Sequence, residues 1–373
     1  MNLSSFISFV VSIFISVLLL GCNTGANKKP DDTKNPPSLT EQVSKLQQQK
    51  NIPAVSFAVL ENGQPQFALA GTLAVSSAQK IVTSDLLPLG SNSKAFTASL
   101  IARFVEQGKL HWNDKVSQWL PLHASYKDLT LEQLLRHESG LSPLTEMKDV
   151  ADAINAIGGL TGDLTKDQDA LINWVLATPS RFMPGGKTEY GNTNYVIAGR
   201  IAEHVGKDSY ENLVRREIFI PLGINGQFNA PKNGVLGHSW ENNQWKVKNI
   251  TPEEEYINSQ LALAAGGWYM SMPDYTQFLK ANIDGLRGQS TWLKEPTLKY
   301  MHSTTRADQL GIGWQVLNSN GETFSQHLGS DEESYLHGVI FSQKSGKAVA
   351  FFTSGYSDAA VNAVSDLALQ WEK

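Results

Sequence analysis

The chain has 373 residues, with 31 Lys plus Arg against 36 Asp plus Glu for a formal net charge of −5, and is 41% hydrophobic and 18% charged. A slightly acidic balance gives no electrostatic footprint for nucleic acid, and a single cysteine, Cys22, excludes an internal disulfide. The remaining composition is that of a globular protein able to build one large domain or two intimate lobes.

Phe6 to Leu20 is an almost unbroken apolar run ending at Leu19-Leu20-Gly21-Cys22. It is short for a membrane span and reads as a signal peptide over residues 1–21. A small residue directly before a cysteine resembles the lipobox of bacterial lipoproteins. That resemblance implies acylation of Cys22, export, and a lipid anchor to a bacterial cell membrane on its periplasmic or outer side. No Lys or Arg precedes the run, a departure from the usual basic flank, and an uncleaved anchor helix is the alternative. Asn23 to Ser38, with Pro30, Pro36 and Pro37 and no large apolar residue, cannot bury enough surface to fold, so residues 22–38 read as a tether.

From Leu39 onward the elements follow in order. Ala54 to Leu60 is an apolar run closed by Glu61-Asn62-Gly63, and with Phe67 to Ala70 it predicts a hairpin. Ser91-Asn92-Ser93-Lys94 opens a helix whose Phe96, Leu100, Ile101, Phe104 and Val105 keep helical spacing up to Gly108. Further helices are predicted at Leu131 to Leu135, Asp167 to Leu176 and Tyr195 to Val205. A second hairpin signal pairs Leu336 to Phe341 with Ala348 to Thr353, and a last helix spans Asp358 to Trp371. Strands at both ends and helices between them predict an α+β fold. It has a mixed antiparallel sheet built from both chain ends (about 39–90 and 310–373), a mostly helical inserted lobe (about 91–309) and a cleft between them. The stretches 144–167 and 229–255 carry no clear pattern and read as loops that set specificity.

Three short patterns carry chemistry. Ser91 and Lys94, at i and i+3 on a helix start, lie on one face, where a lysine of lowered pKa can take the serine's proton and the helix N-terminus favours an oxyanion. The bland alternative is a capping serine beside a solvated lysine. Ser77-Ala78-Gln79-Lys80 repeats the pattern but has no amphipathic helix behind it. Tyr190-Gly191-Asn192 sits at a loop-to-helix junction, where a phenol can shuttle a proton and an amide can hold a carbonyl or the lysine. Tyr210-Glu211-Asn212 falls inside a helix, and Tyr256-Ile257-Asn258 stays open as the alternative copy. His327-Leu328-Gly329-Ser330 lies beside the strand before the last hairpin, against the plain reading of a surface histidine before a turn glycine. The other histidines are scattered without metal-ligand spacing, so no metal is expected.

Together these residues resemble the serine β-lactamase-like superfamily, in the branch of class C β-lactamases, D-alanyl-D-alanine carboxypeptidases, D-aminopeptidases and family VIII esterases. The likeness runs in order through the Gly63 hairpin, Ser91 to Lys94, Gly108-Lys109-Leu110, Asn113-Asp114, Trp119-Leu120-Pro121, Leu134 to Leu141, Pro184-Gly185 to Asn192, and Gly266-Gly267. It implies an acyl-enzyme on Ser91, with Lys94 and Tyr190 managing its proton and Asn192 positioning substrate. It also implies an oxyanion hole from the Ser91 and Ser330 amides beside Gly329, with His327 where many relatives carry the lysine of Lys-Thr-Gly. No cofactor is implied, and the partner is a small-molecule or peptide substrate.

The departure at His327-Leu328-Gly329 removes a cation and a hydroxyl that can bind a carboxylate, and Asp331, Glu332 and Glu333 follow at once. The acids read either as a solvated loop or as a repulsive rim to the cleft. The expected substrate is therefore a neutral ester, or an amide bearing a free amine, in preference to a β-lactam. Cell-wall peptides are the next alternative. A binding lipoprotein that has lost catalysis is the alternative of another class, weakened by retention of Ser91, Lys94 and Tyr190.

Overall fold

The computed structural model describes residues 37–373, apart from Thr291, Glu332 and Lys373. The apolar leader, Cys22 and nearly all of the expected tether lie outside the described residues. No helix among the described residues is long and apolar enough to cross a membrane.

The first element of the described residues is α1 (Leu39–Lys50), opened by a Ser38 and Glu41 capping box and closed by Asn51 in the left-handed region at φ 49°. The hairpin of β1 (Ala54–Glu61) and β2 (Gln64–Gly71) turns on Asn62 and Gly63, at φ 52° and 74°, the primed turn that suits strand twist. Helices α2 (Ser93–Glu106), α3 (Leu131–Leu135), α4 (Met147–Ala156), α5 (Leu164–Ala177), α6 (Asn192–Gly206) and α7 (Met272–Leu286) follow. The chain then forms β3 (Gln315–Ser319), β4 (Glu322–Asp331), β5 (Tyr335–Ser342), β6 (Ala348–Thr353) and α8 (Asp358–Glu372). The main sheet has six strands in the order β2-β1-β6-β5-β4-β3, antiparallel throughout, so β1 reaches the C-terminal strands through β6.

Near-continuous apolar runs in β1, β5 and β6 follow from burial on both faces. Val55, Phe57 and Val59 point to a cluster with Val361, Val364 and Ala368 of α8 and Val43 of α1. Ala54, Ala58 and Leu60 point to the larger cluster built around α2 and α7. Each fully buried Phe or Leu contributes roughly 1.5–3 kcal/mol here. Helix α2 is buried almost all round because it runs through the centre of the large cluster, where Phe96 stacks on Phe278 at 3.7 Å and packs on Trp268 at 4.8 Å.

Between the sheet's two halves the chain is mainly helical but not wholly so. His238–Glu241 and Gln244–Val247 form a second hairpin on Asn242 and Asn243, both at positive φ, which joins Gly355–Tyr356 in a small sheet. Leu87–Pro88 pairs with Tyr269–Met270. The stretches expected as loops are thus partly regular: 144–167 holds α4, and 229–255 holds this hairpin and the start of the helix Pro252–Tyr256. Helix α4 forms because Val150, Ala153, Ile154 and Ile157 share one face that packs inward.

Candidate active site

The cleft is built where β4 outruns its neighbour. Strand β3 covers only Glu322 to Gln326, so the free edge of His327 to Asp331 faces the turn Gly90–Asn92 that leads into α2. Two glycines let these backbones meet. A Cβ on Gly329 would sit 1.9 Å from the Leu89 carbonyl and 2.9 Å from the Ser91 nitrogen. One on Gly90, already at φ 51°, would sit 3.0 Å from the Ser330 nitrogen. The Ser91 amide therefore lies beside Gly329, in a helix-opening turn where amides have no intrahelical acceptor, and the Ser330 amide lies beside Gly90.

Lys94 is fully buried one turn into the helix. Its Nζ contacts Ser91 Oγ at 3.0 Å and donates to Asn192 Oδ1 at 2.8 Å and to the Ala265 carbonyl at 2.8 Å. None of these partners is an anion, and burial pulls the amine well below its ordinary value. A neutral amine has two N–H bonds and one lone pair. With both N–H groups held by carbonyl oxygens, the lone pair is left for Ser91. Asn192 is itself oriented by a bond from Nδ2 to the Leu144 carbonyl at 3.2 Å. The segment carrying Ala265 is strapped to α2 a second time through Thr97 Oγ1, which donates to the Ala264 carbonyl at 2.6 Å.

Beside the pair stands Tyr190, whose ring centroid is 4.9 Å from Lys94 Nζ and whose phenol interacts with the Ser91 side chain. Burial raises that phenol above its ordinary range, so it stays protonated. Tyr190 is held by a residue to which the sequence patterns gave no role: His137 stacks on its ring at 4.4 Å and packs tilted against Tyr195 at 5.1 Å. The same residue accepts the Gly191 N–H at Nδ1, 3.1 Å away, and its carbonyl accepts the Glu189 N–H at 2.8 Å, pinning the backbone on both sides of Tyr190. Burial, and secondarily the Lys94 charge, push the imidazole well down, so His137 is neutral, with Nδ1 as acceptor and the proton on Nε2. It does this from φ 61°, in the tight turn ahead of Gly140.

The structure thus brings Ser91, Lys94, Tyr190, Asn192, His327, Gly329 and Ser330 to one cleft and leaves the alternative triplets outside this constellation. Tyr210 is buried behind α2, bonding Thr97 at 2.5 Å, and Tyr256 bonds Asp167 at 2.8 Å. The Ala265 carbonyl and His137 are the partners not anticipated. A backbone carbonyl has no side-chain signature, whereas the His137-Glu138-Ser139-Gly140 turn was visible but silent about its function. The strand wall is neutral: burial, with Lys94 second, pushes His327 down to about 3, and its Nδ1 lies 3.0 Å from the Leu328 carbonyl. Of the acidic run, Asp331 is folded into its own turn, accepting from Glu333 N at 3.2 Å and Ser334 Oγ at 2.9 Å, and Glu333 pairs with Lys248 at the surface. Neither presents a bare charge, so the repulsive rim is not built from these two.

An α+β fold with a half-buried serine against a fully buried lysine in its cleft defines the class, and comparison with known proteins gives the family. The beta-lactamase family model matches residues 39–369, and the chain belongs to that family. It is 22% identical over 311 residues to a beta-lactamase of Yersinia enterocolitica, covering 82% of this chain and 75% of the relative. It is 24% identical over 241 residues to a putative D-alanyl-D-alanine carboxypeptidase of Escherichia coli (strain K12), covering 57% of this chain and 54% of that relative. Among solved structures it is similar to a beta-lactamase/D-alanine carboxypeptidase from Pseudomonas syringae, with a TM-score of 0.69 at 19% identity over 88% of this chain and 97% of the other. The protein is thus a hydrolase of the serine β-lactamase and penicillin-binding-protein superfamily.

Proposed function

We propose that this hydrolase acts through an acyl-enzyme on Ser91 and that its preferred substrates are neutral esters, or amides with a free amine, in preference to β-lactams. The observation that carries the catalytic part is Lys94: fully buried, without an anionic partner among the described residues, and with Nζ 3.0 Å from Ser91 Oγ. Ser91 Oγ attacks the carbonyl carbon while its proton passes to Lys94 Nζ. The oxyanion is met by the Ser91 and Ser330 amides. As the tetrahedral adduct collapses, Tyr190 gives its phenolic proton to the leaving oxygen or nitrogen and regains one from the Lys94 ammonium. Water then attacks the acyl carbon, its proton returning through the same pair, and the acid leaves with Ser91 restored.

The substrate part rests on the neutral strand wall. With His327 uncharged at ordinary pH, the cleft lacks the cation that would hold a substrate carboxylate. Hydrolysis of cell-wall peptides is the second reading, favoured by the names of the relatives. Export with a lipid on Cys22 belongs to the same proposal, supported by the apolar run that precedes it. The test is a fluorophosphonate probe and p-nitrophenyl esters of short acids on purified protein beside Ser91→Ala. Labelling and turnover confined to the wild type are expected. A folded protein that does neither returns the assignment to a binding lipoprotein, and efficient penicillin turnover removes the ester preference.

A further inference from the structure

Beside the catalytic asparagine the helical lobe is not filled. An apolar pocket of about 80 Å3 lies between α4, α5, α6 and residues 257–262, with Asn192 in its wall. A single water needs roughly 10–15 Å3 of such space, so the pocket is the size of a short alkyl chain and well below the roughly 300–1,000 Å3 of sites that take a whole ligand. Protein interiors are close-packed, so an apolar gap forfeits dispersion contacts on every wall and persists only where something holds the walls apart.

The walls belong to two different clusters. Ile172, Val175 and Ile197 are part of the main core, whereas Ile154 and Ile257 belong to a separate small cluster with Leu261. The outer wall is tied at its rim by polar contacts: Tyr256 Oη to Asp167 Oδ2 at 2.8 Å, and Gln168 Nε2 to the Gln260 carbonyl at 3.2 Å. No charged side chain lines the space among the described residues. One wall residue ties the pocket to the reactive pair, because Asn192 both lines it and accepts from Lys94 Nζ, which itself contacts Ser91.

From this we infer that the pocket is an acyl-chain site: it receives the straight hydrocarbon tail of the acyl group carried by Ser91, and the substrates are esters of medium-chain acids. An uncharged, apolar slot walled in part by the amide that holds the nucleophile's lysine suits an alkyl tail and offers nothing to a carboxylate or an ammonium. The inference rests on the Ser91 hydrolase reading for its chemistry, while the pocket's binding can be measured without catalysis. Each methylene taken from water into such a slot is worth about fourfold in kcat/KM.

The experiment has two readouts. On wild-type protein, p-nitrophenyl acetate, butyrate, hexanoate and octanoate are compared. On Ser91→Ala, binding of the neutral fluorophore N-phenyl-1-naphthylamine is measured, with p-nitrophenyl octanoate as competitor. Val150→Trp and Val196→Trp, from different walls, plug the pocket, and far-UV circular dichroism checks that each is folded, so that one may fail without losing the test. The expected result is kcat/KM at least about tenfold higher for hexanoate than acetate, a ratio that collapses toward one in the plugged proteins, and fluorophore displacement by the octanoate ester that is lost with the plug. A flat or falling chain-length profile in the wild type, or one unchanged by either plug, overturns the acyl-chain site. Displacement that the plug abolishes, with no ester of any length hydrolysed, keeps the pocket and overturns the hydrolase reading instead.

Discussion

The two walls of the cleft are built on opposite principles. On the helix wall, Lys94 Nζ donates to Asn192 and Ala265 and meets Ser91 Oγ at 3.0 Å, and the phenol beside it is clamped by a stacked histidine whose Nδ1 accepts a backbone N–H. On the strand wall, His327 sits on the free edge of β4, neutral, with a single ring hydrogen bond among the described residues, to the carbonyl of the residue after it. The helix wall fixes proton positions to fractions of an ångström in a low-dielectric space, and any change there disturbs the reaction itself. The strand wall holds backbone amides rigidly, through Gly329, but leaves its side chains free to change. A family can keep its reaction and exchange its substrate by altering only the second wall.

The largest effect is expected where the helix wall is cut. Lys94→Met keeps the length and apolar stem of the side chain and removes the base, so kcat should fall by about 10^3-fold or more, near the upper range of general-base effects. The pH dependence has a definite sign. Because burial holds the Lys94 amine well below its ordinary value, the base loses its proton at a lower pH than a free lysine does. The rate should rise with pH as Lys94 loses its proton and level off well below the ordinary lysine range. Stopped-assay kcat/KM profiles would show this limb. A wild-type rate that climbs steadily toward pH 10 would mean that Lys94 is ordinarily charged and that the lone-pair argument is wrong.

A smaller loss is expected from the clamp. His137 touches no reacting atom, yet it holds the Tyr190 ring and the Gly191 amide. His137→Leu should lower kcat about 10- to 100-fold with KM nearly unchanged, the cost of a catalytic group displaced by a fraction of its reach. His137→Asn tolerates the positive φ and keeps an acceptor for Gly191, so it should recover part of the loss. Equal losses in both, or a change confined to KM, would show that the stacked ring is not what places Tyr190.

How legible each wall was in the sequence follows from the same contrast. Helical spacing behind Ser91 and apolar runs in the terminal strands are side-chain patterns, and they located Ser91, Lys94 and the sheet. Contacts made by the backbone left no such trace: the Ala265 carbonyl on Lys94, the free edge of β4, and the close approach of Gly90 to Gly329 depend on residues far apart in the chain. Helix α4 was missed because Gly158, Gly159 and Gly162 crowd the segment after it and mask a short apolar face. The hairpin at Asn242-Asn243 was missed because that pair is a weaker turn signal than Asn62-Gly63.

The smallest expected effect bears most directly on the strand wall. His327→Lys places a cation at the free edge of β4, beside Lys94 and His137, whose pKa values burial depresses. Two forces then oppose each other. Burial and the nearby Lys94 press the new ammonium to lose its proton, while a substrate carboxylate in the cleft would hold it charged. The outcome is a change in selectivity and not in rate: kcat for a neutral acetate ester should stay within a few-fold, while the kcat/KM ratio of an ester bearing a carboxylate to its neutral counterpart should rise by about tenfold, the size of one charge-assisted hydrogen bond after desolvation. Because that gain depends on the ammonium, it should fade as pH rises through the lysine's lowered pKa, which separates a charge effect from repacking. If the ratio does not move at any pH, the preference against carboxylates is written elsewhere in the cleft, and the mutable wall is not β4.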